Sequence, residues 1–183
     1  MKKGFFLTIA FLMCFPVFSQ ESEKANKKST NEIKWNLFMT FQKFPEISYE
    51  KVWENNFSAG LTAGFLYKGD EGLYRFTPSR LNFLFAPYGR YNFGKNPKKT
   101  FFIEASISLM GVKITEYYSN PSEDEYNWKY RTSPVFGLGI AAGYKFIIRH
   151  GFIGEFFIGY GTSVDKSYSY NYPRMGISIG KQF

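Results

Sequence analysis

The sequence lacks most of what metal centres, disulfide scaffolds and helical membrane bundles require. Its 183 residues include one cysteine, Cys14, and one histidine, His150. A lone histidine excludes a multi-histidine metal site, and a lone cysteine excludes an internal disulfide. Apolar runs are short outside residues 4–18, whereas a membrane-spanning helix needs about 20 consecutive apolar residues. A helical membrane protein is therefore excluded.

The first 19 residues are those expected of a secretory signal peptide. Lys2 and Lys3 precede an apolar centre, and the small Ser19 stands before a polar stretch. We expect cleavage after Ser19, which removes Cys14. Lipidation of Cys14 is the alternative, and the bulky Met13 before it argues against that. The mature chain is thus predicted to be exported and to contain no cysteine.

Residues 20–31 are polar and of mixed charge, and they contain no apolar side chain larger than Ala25. Such a segment cannot bury enough surface to fold, so it is predicted to be a flexible periplasmic lead-in. The formal net charge of the whole chain is +8. No concentrated basic stretch exists beyond residues 95–99, so anionic lipid headgroups are expected as partners and nucleic acid is not.

What the sequence does have is aromatic residues, 22 Phe and 14 Tyr, together with 17 Gly. From residue 32 onward, apolar side chains alternate with small or polar ones at a period of two, which predicts strands. Eight candidates cover residues 32–43, 46–54, 57–68, 80–93, 100–117, 135–147, 151–161 and 172–183. Most are close to the 9–11 residues of a tilted membrane strand. We expect a local bulge at Pro87, which cannot donate to a ladder.

The connections alternate between short turns and longer polar loops. The predicted long loops cover residues 69–79, 119–134 and 162–171. This asymmetry is typical of periplasmic turns and extracellular loops. The fold class is therefore predicted to be an all-β, eight-stranded antiparallel transmembrane β-barrel formed by residues 32–183. Both termini are expected in the periplasm of a Gram-negative bacterium.

The composition of the less apolar face indicates which face is inside. It is dominated by Gly and Ser with scattered charges, and small residues suit the crowded interior of an eight-stranded barrel. Charges of both signs are predicted to pair in that interior, because an isolated buried charge is costly. The predicted polar network of the lumen comprises Glu50, Arg80, Arg90, Glu104, Lys145, Glu155 and Arg174.

Other interpretations of the same residues remain open at this point. A soluble, lipocalin-like periplasmic barrel would turn its apolar face inward around a ligand. A lipid-modifying barrel enzyme would need His150 beside a positioned serine. Glu104 and Glu155 could form a carboxylate pair for acid–base chemistry, and residues 123–125 a divalent-cation site. For these residues we favour salt bridges and solvated surfaces, with no catalysis and no cofactor.

Three stretches carry a resemblance to a known family. They are residues 33–37 (Ile-Lys-Trp-Asn-Leu), residues 45–50 (Pro-Glu-Ile-Ser-Tyr-Glu) and residues 86–93 (Ala-Pro-Tyr-Gly-Arg-Tyr-Asn-Phe). Together with a terminal strand ending in Phe183, they resemble small outer-membrane barrels of unknown function common in Bacteroidota-type bacteria. The chain is also broadly similar to OmpA/OmpX-like eight-stranded barrels. The resemblance implies an outer-membrane barrel with no transferable catalytic residues.

The expected role is therefore structural or one of surface interaction. Outer-membrane lipid and the barrel-assembly machinery are the expected partners, the latter through Phe183 as an assembly signal. An extracellular partner at the long loops is a further expectation. Lys181 departs from the apolar or aromatic residue usual near the end of such strands, although a lysine near the interface can extend to the headgroups.

Overall fold

The computed structural model describes residues 29–67, 81–94, 99–119, 126–164 and 170–183. They form a closed antiparallel barrel in which each strand pairs with its neighbours in the chain and the last strand pairs with the first. The strands are β1 Thr30–Asn36, β2 Glu46–Val52, β3 Phe57–Phe65, β4 Leu81–Phe93, β5 Lys99–Ser119, β6 Tyr126–Ile147, β7 Phe152–Ser163 and β8 Asn171–Gln182. The predicted fold class, an eight-stranded antiparallel barrel, is confirmed.

Several predicted features lie outside the described residues. They are the signal peptide of residues 1–19, residues 20–28 of the lead-in, the loop of residues 69–79, Arg80, and the acidic residues 123–125. Within the described ranges, no helix is both long and apolar enough to span a membrane.

Alternation along each strand separates two environments. In β5, Phe102, Glu104 and Ser106 are buried inside the barrel, whereas Phe101 and Ile103 are exposed on the outer wall. The period of two places successive side chains on opposite faces. Closure of the sheet then makes one face the lumen and the other the outer wall.

The first predicted strand is shorter than expected. Residues 37–41 continue the alternation in the sequence, but they form a short helix, α1 Leu37–Phe41. Asn36 begins this helix because its Oδ1 accepts a hydrogen bond from the Met39 amide at 3.2 Å. Thr40 Oγ1 donates to the Asn36 carbonyl at 2.7 Å and accepts from Trp35 Nε1 at 2.8 Å. As a result, Met39 is buried rather than placed on the outer wall.

The connection between β5 and β6 is also different from its prediction. Most of the predicted loop 119–134 continues the ladder, which runs from the Lys99–Phe146 pair to the Ser119–Tyr126 pair. β4 pairs with β5 only up to Val112, and β7 pairs with β6 only from Gly137 onward. The rest of the ladder is therefore a two-stranded hairpin that extends past the barrel.

The irregularity predicted at Pro87 lies elsewhere in β4. Pro87 pairs with Leu61 of β3 without a change of register. In the β4–β5 ladder, the register is also the same before and after Pro87. The register shift of this ladder falls between Leu81 and Phe83. This shift turns Leu81, expected on the apolar outer face, into the barrel interior, where it is buried.

The ladder that closes the barrel is short. β1 and β8 share five pairs, from Glu32–Gln182 to Asn36–Ser178. Beyond them, Asn31 and Phe183 exchange backbone hydrogen bonds of 3.0 and 2.9 Å. The β6–β7 and β7–β8 ladders have eleven pairs each.

Candidate functional site in the barrel lumen

Charged side chains fill the middle of the barrel. They come from seven of the eight strands and all are at most 6% exposed. The cations are Lys34, Arg90, Lys145 and Arg174, and the anions are Glu32, Glu50, Glu104 and Glu155. Formal charges of opposite sign are equal in number, so this cluster, hereafter the lumen charge cluster, is neutral as a unit.

Arg90 is the centre of the lumen charge cluster. Its Nε lies 2.8 Å from Glu104 Oε2, and its Nη1 lies 2.9 Å from Glu50 Oε2. Nη1 and Nη2 also donate to the two oxygens of Glu155, at 2.8 and 3.0 Å. The guanidinium carbon is 4.1 Å from the centre of the Phe102 ring. The planar fork of arginine suits such several-fold pairing, which lysine cannot reproduce.

The three remaining cations complete the cluster. Lys34 bonds to Glu50 and, at 2.9 Å, to Glu155. Lys145 bonds to Glu32 at 3.0 Å, and Arg174 to Glu104 at 2.6 Å. Each buried carboxylate of the cluster therefore has at least one cation beside it, which is the condition for tolerating charge away from water.

This arrangement determines what the lumen can do chemically. Glu104 and Glu155, considered above as an acid–base pair, are both bound to Arg90. Among the residues that the structure describes, no group of three or more His, Cys, Asp or Glu side chains is placed to hold a metal ion. The charges cross-link opposite walls of the barrel, and they occupy the cross-section through which a solute would pass.

One end of the lumen is closed by apolar side chains. α1 and the segment after it fold inward, so that Met39 and the fully buried Phe44 meet Leu84 and Met110 from the walls. Leu81, Ala86, Val112, Val135 and Tyr172 complete this apolar plug. The Tyr172 hydroxyl is 2.8 Å from Ser108 Oγ, which satisfies both polar groups.

The other end of the lumen is open. A vestibule of about 800 Å³ lies between the two chain ends of the barrel and the turns after β2, β4 and β6. Glu32 and Lys145 lie on its inner side, and Trp53, Arg149 and His150 are among its lining residues. The lumen is thus a blind cavity, open at the end where the barrel begins and finishes.

His150 does not have the surroundings of a catalytic histidine. It is exposed in the short 3-10 turn Arg149–Gly151 with a φ of 63°. The described residues lining the vestibule beside it include no serine and no cysteine. Within the described part of the chain, no geometry around this residue supports the lipid-modifying enzyme considered above.

A serine motif in the sequence needs a structural explanation. Residues 176–180 read Gly-Ile-Ser-Ile-Gly, which fits the G-x-S-x-G pattern of serine hydrolases. That pattern is functional only at a sharp turn between a strand and a helix. Here it lies within β8, where Ser178 is buried and pairs in register with Glu155 and Asn36. The motif arises from strand alternation.

Six of the seven residues predicted for the lumen network lie together in the barrel interior. The seventh, Arg80, lies outside the described residues. Sequence reasoning missed Glu32 and Lys34 as members, and it also missed the buried Glu46, whose Oε2 accepts from Asn36 Nδ2 at 2.8 Å. The available signal for Glu32 and Lys34 was their alternation with Ile33 and Trp35.

The outer wall has the opposite composition. Ile140 and Ile158 are each 68% exposed, and exposed apolar side chains occur on every strand. Aromatic contacts lie near the end of the barrel that has the short turns 53–56 and 148–151, hereafter the turn end. There, Phe57 and Phe93 pack edge-on against Tyr91. Phe101 and Phe156 pack against Tyr144. An apolar lumen, as in a lipocalin-like soluble barrel, is not what the chain has.

No protein-family model matches the chain, and no curated protein matches it. The solved structures similar to it include two outer-membrane proteins, both at low identity. Neisserial surface protein A is 12% identical with a TM-score of 0.46, covering 84% of this chain and 94% of that one. Outer membrane protein Ail of Yersinia pestis is 11% identical with a TM-score of 0.47, covering 85% of this chain and 100% of that one.

The class of the molecule follows from its own two surfaces. Closure satisfies the backbone groups of all the strands, which lipid cannot do. The wall that would be wetted in a soluble protein is apolar, and the charges are inside. These are the properties of a membrane-spanning β-barrel.

Proposed function

We propose that this chain is an outer-membrane barrel protein of a Gram-negative bacterium with a structural and surface-interaction role and no catalytic activity. The observation that carries the proposal is the inversion of the barrel: paired charges fill the lumen, and large apolar side chains cover the outside. In this proposal residues 1–19 direct export and are removed, and residues 20–31 lead into the barrel from the periplasm.

The same proposal places both termini in the periplasm. The turns at the end that holds Thr30 and Phe183 are short, including residues 53–56 and 148–151. Short turns are typical of the periplasmic side of such barrels. Phe183 is exposed and paired to β1 through Asn31, so its ring is available as a signal for the assembly machinery.

The proposed surface for interaction is the β5–β6 hairpin. Past the Val112–Ser133 pair, the last at which β5 also pairs with β4, the ladder continues for seven pairs, to Ser119–Tyr126. At about 3.4 Å per residue these pairs extend roughly 24 Å along the strands beyond the barrel. A membrane strand needs only about 9–11 residues, so this length serves something outside the hydrocarbon layer.

Transport is not part of the proposal. Eight strands leave an interior that side chains fill, and here the lumen charge cluster and the apolar plug lie in series along it. In planar bilayers, the purified protein is expected to give no steady conductance steps. Regular single-channel openings would contradict this part of the proposal.

Fractionation and a heat-modifiability gel test the location. We expect the protein in the outer-membrane fraction, with a folded band that migrates differently from the boiled one. Purification as a soluble protein without detergent would refute the proposal.

Cysteine labelling tests the orientation. Thr132→Cys, in the hairpin, should react on intact cells with a membrane-impermeant maleimide. Arg149→Cys, in the opposite turn, should react only after the outer membrane is permeabilised. The reverse pattern would place the termini outside.

A hairpin-shortened variant tests the interaction role. Residues 113–132 are replaced by an Asn-Gly turn, which two-residue hairpins favour. The barrel should remain folded and heat-modifiable, while adhesion of cells to surfaces and to each other should fall to that of cells lacking the protein. Unchanged adhesion would leave only the structural role.

A further inference from the structure

The outer wall carries an apolar groove of about 570 Å³. It lies between two rows of outward-facing side chains that the strand registers align across the barrel wall. The first row is Met175, Ile158, Ala142 and Ile103, and the second is Ile177, Phe156, Tyr144, Phe101 and Phe93. All of them belong to β4 through β8.

The groove exists because one outward-facing residue, Ala142, is small and stands between large ones. Ala142 is flanked in its row by Ile103 and Ile158, which are 52% and 68% exposed. Gly143 and Gly176 line it through their backbone alone, because a Cβ added at either would point into the lumen against Phe157. The resulting channel runs across the strands, and because barrel strands tilt, it is diagonal to the barrel axis.

The length and width of the groove suit one extended hydrocarbon chain. The second row crosses four strand-to-strand steps of about 4.8 Å, which gives a length of roughly 19 Å. The two rows are two residues apart along each strand, which is about 7 Å. Phe38 of α1 stands at one end, and Phe93 stands at the other, beside the β4–β5 turn. A flat protein wall would not enter so narrow a channel.

The positive charge of Lys99 at the turn end indicates which kind of ligand the groove would bind. Lys99 is exposed, lies two residues from Phe101 and pairs with Phe146 across β5–β6. Lys99 therefore lies on the outer wall between the groove and the turn end of the barrel, where the membrane surface is expected. A lysine at headgroup level attracts anionic lipid.

From this geometry we infer that the groove binds one acyl chain of an anionic phospholipid of the leaflet at the turn end, with its phosphate beside Lys99. The inference rests on the proposed membrane location and specifies a lipid site within it. The ligand is a glycerophospholipid whose chain lies between the two rows.

Native mass spectrometry of the full-length protein in detergent micelles tests the inference. Phosphatidylglycerol and phosphatidylcholine with identical acyl chains are the probes. The wild type should retain one phosphatidylglycerol, and Ala142→Phe, which fills the channel, should retain none. Lys99→Gln should reduce the preference for phosphatidylglycerol over phosphatidylcholine by roughly fivefold.

Ala59→Phe is the matched control. Ala59 is exposed on the outer wall of β3, pairs with Lys51 and Gly89 and lies outside the groove. The Ala59→Phe variant should retain one phosphatidylglycerol, as the wild type does. Equal loss in both variants, equal retention in both, retention of lipopolysaccharide in place of phospholipid, or a dimer abolished by Ala142→Phe would each overturn the inference.

The heat-modifiability gel separates this test from the test of the membrane location. A variant that has lost its lipid but still shows the folded, detergent-requiring band leaves the membrane barrel intact. If the wild type were soluble without detergent, the proposed membrane location itself would be refuted.

Discussion

The inner and outer faces of the same eight strands obey opposite rules. Inside, a charged residue such as Arg90 is buried and bonds to three carboxylates. Outside, an isoleucine such as Ile140 is 68% exposed. A soluble protein would reverse both positions, because water favours charge and lipid favours hydrocarbon.

The comparison shows that the wall is stabilised differently on its two sides. The inner face depends on specific partners, since each charge is tolerated only when an opposite charge lies beside it. The stability of the outer face depends on polarity, since lipid packs against apolar side chains of many shapes. Substitutions should therefore act through lost partners inside and through polarity outside.

Arg90→Leu should give the largest effect. The change leaves Glu50, Glu104 and Glu155 without their shared cation, and removing one partner of a buried pair costs about 3–5 kcal/mol. Urea unfolding of the protein refolded in micelles measures it. Arg149→Leu, in the exposed turn, should stay within about 0.5 kcal/mol. Equal effects of the two changes would show that the inner face is not the more specific one.

Ile140→Lys is the corresponding change on the outer face. A lysine on the lipid face near the bilayer midplane costs about 2–4 kcal/mol. Ile140→Leu keeps the polarity and should be nearly neutral in the same titration. If the lysine variant were as stable as the leucine variant, the outer wall would be in contact with water.

Substitutions at two glycines test the difference between tight packing on the lumen face and open space on the outer face. A Cβ added at Gly64, on the lumen face, would lie 2.5 Å from Cε1 of the buried Phe44, whereas one added at Gly89, on the outer face, meets no atom within 4 Å. Gly64→Ala should destabilise by about 1–3 kcal/mol through overpacking, and Gly89→Ala should change stability little. The difference between the two unfolding free energies is the measurement, and a reversed order would contradict the assignment of faces.

Two serines give the smallest expected difference, and both lie on the lumen face of β5. Ser108 Oγ is 2.8 Å from the Tyr172 hydroxyl, whereas Ser106 Oγ is buried with no hydrogen-bond partner among the described residues. Ser108→Ala should cost about 1 kcal/mol, and Ser106→Ala should be neutral or slightly stabilising. Thermal shifts of the folded band distinguish them, and similar shifts would show that the Ser108–Tyr172 bond contributes nothing.

Strand positions and faces were largely predictable from the sequence, because lipid on one side and a packed lumen on the other impose a strict period of two. The prediction was wrong where another interaction overrides that period. Residues 37–41 keep the spacing of a strand, but the Asn36 cap begins a helix there. The β5–β6 hairpin past the barrel has no lumen on either side, so the alternation that predicts barrel strands does not apply there.

The pairings in the lumen were not predictable from the sequence. Arg90 and Glu155 lie 65 residues apart on β4 and β7, and only closure of the barrel brings them to 2.8 Å. Sequence patterns indicated six of the eight charges of the lumen charge cluster. The distances between them depend on the register of every intervening strand.

The short ladder between β1 and β8 has a consequence for how the barrel forms. Every other ladder joins consecutive strands, whereas this one joins segments about 150 residues apart through five pairs such as Trp35–Ile179. Ordering so long a chain for so few bonds is unfavourable until the other strands are in place. Closure at this point is therefore expected last, after an open sheet with two free edges has formed. Free edges recruit other strands, so this late intermediate is the stage at which the chain is most prone to aggregate.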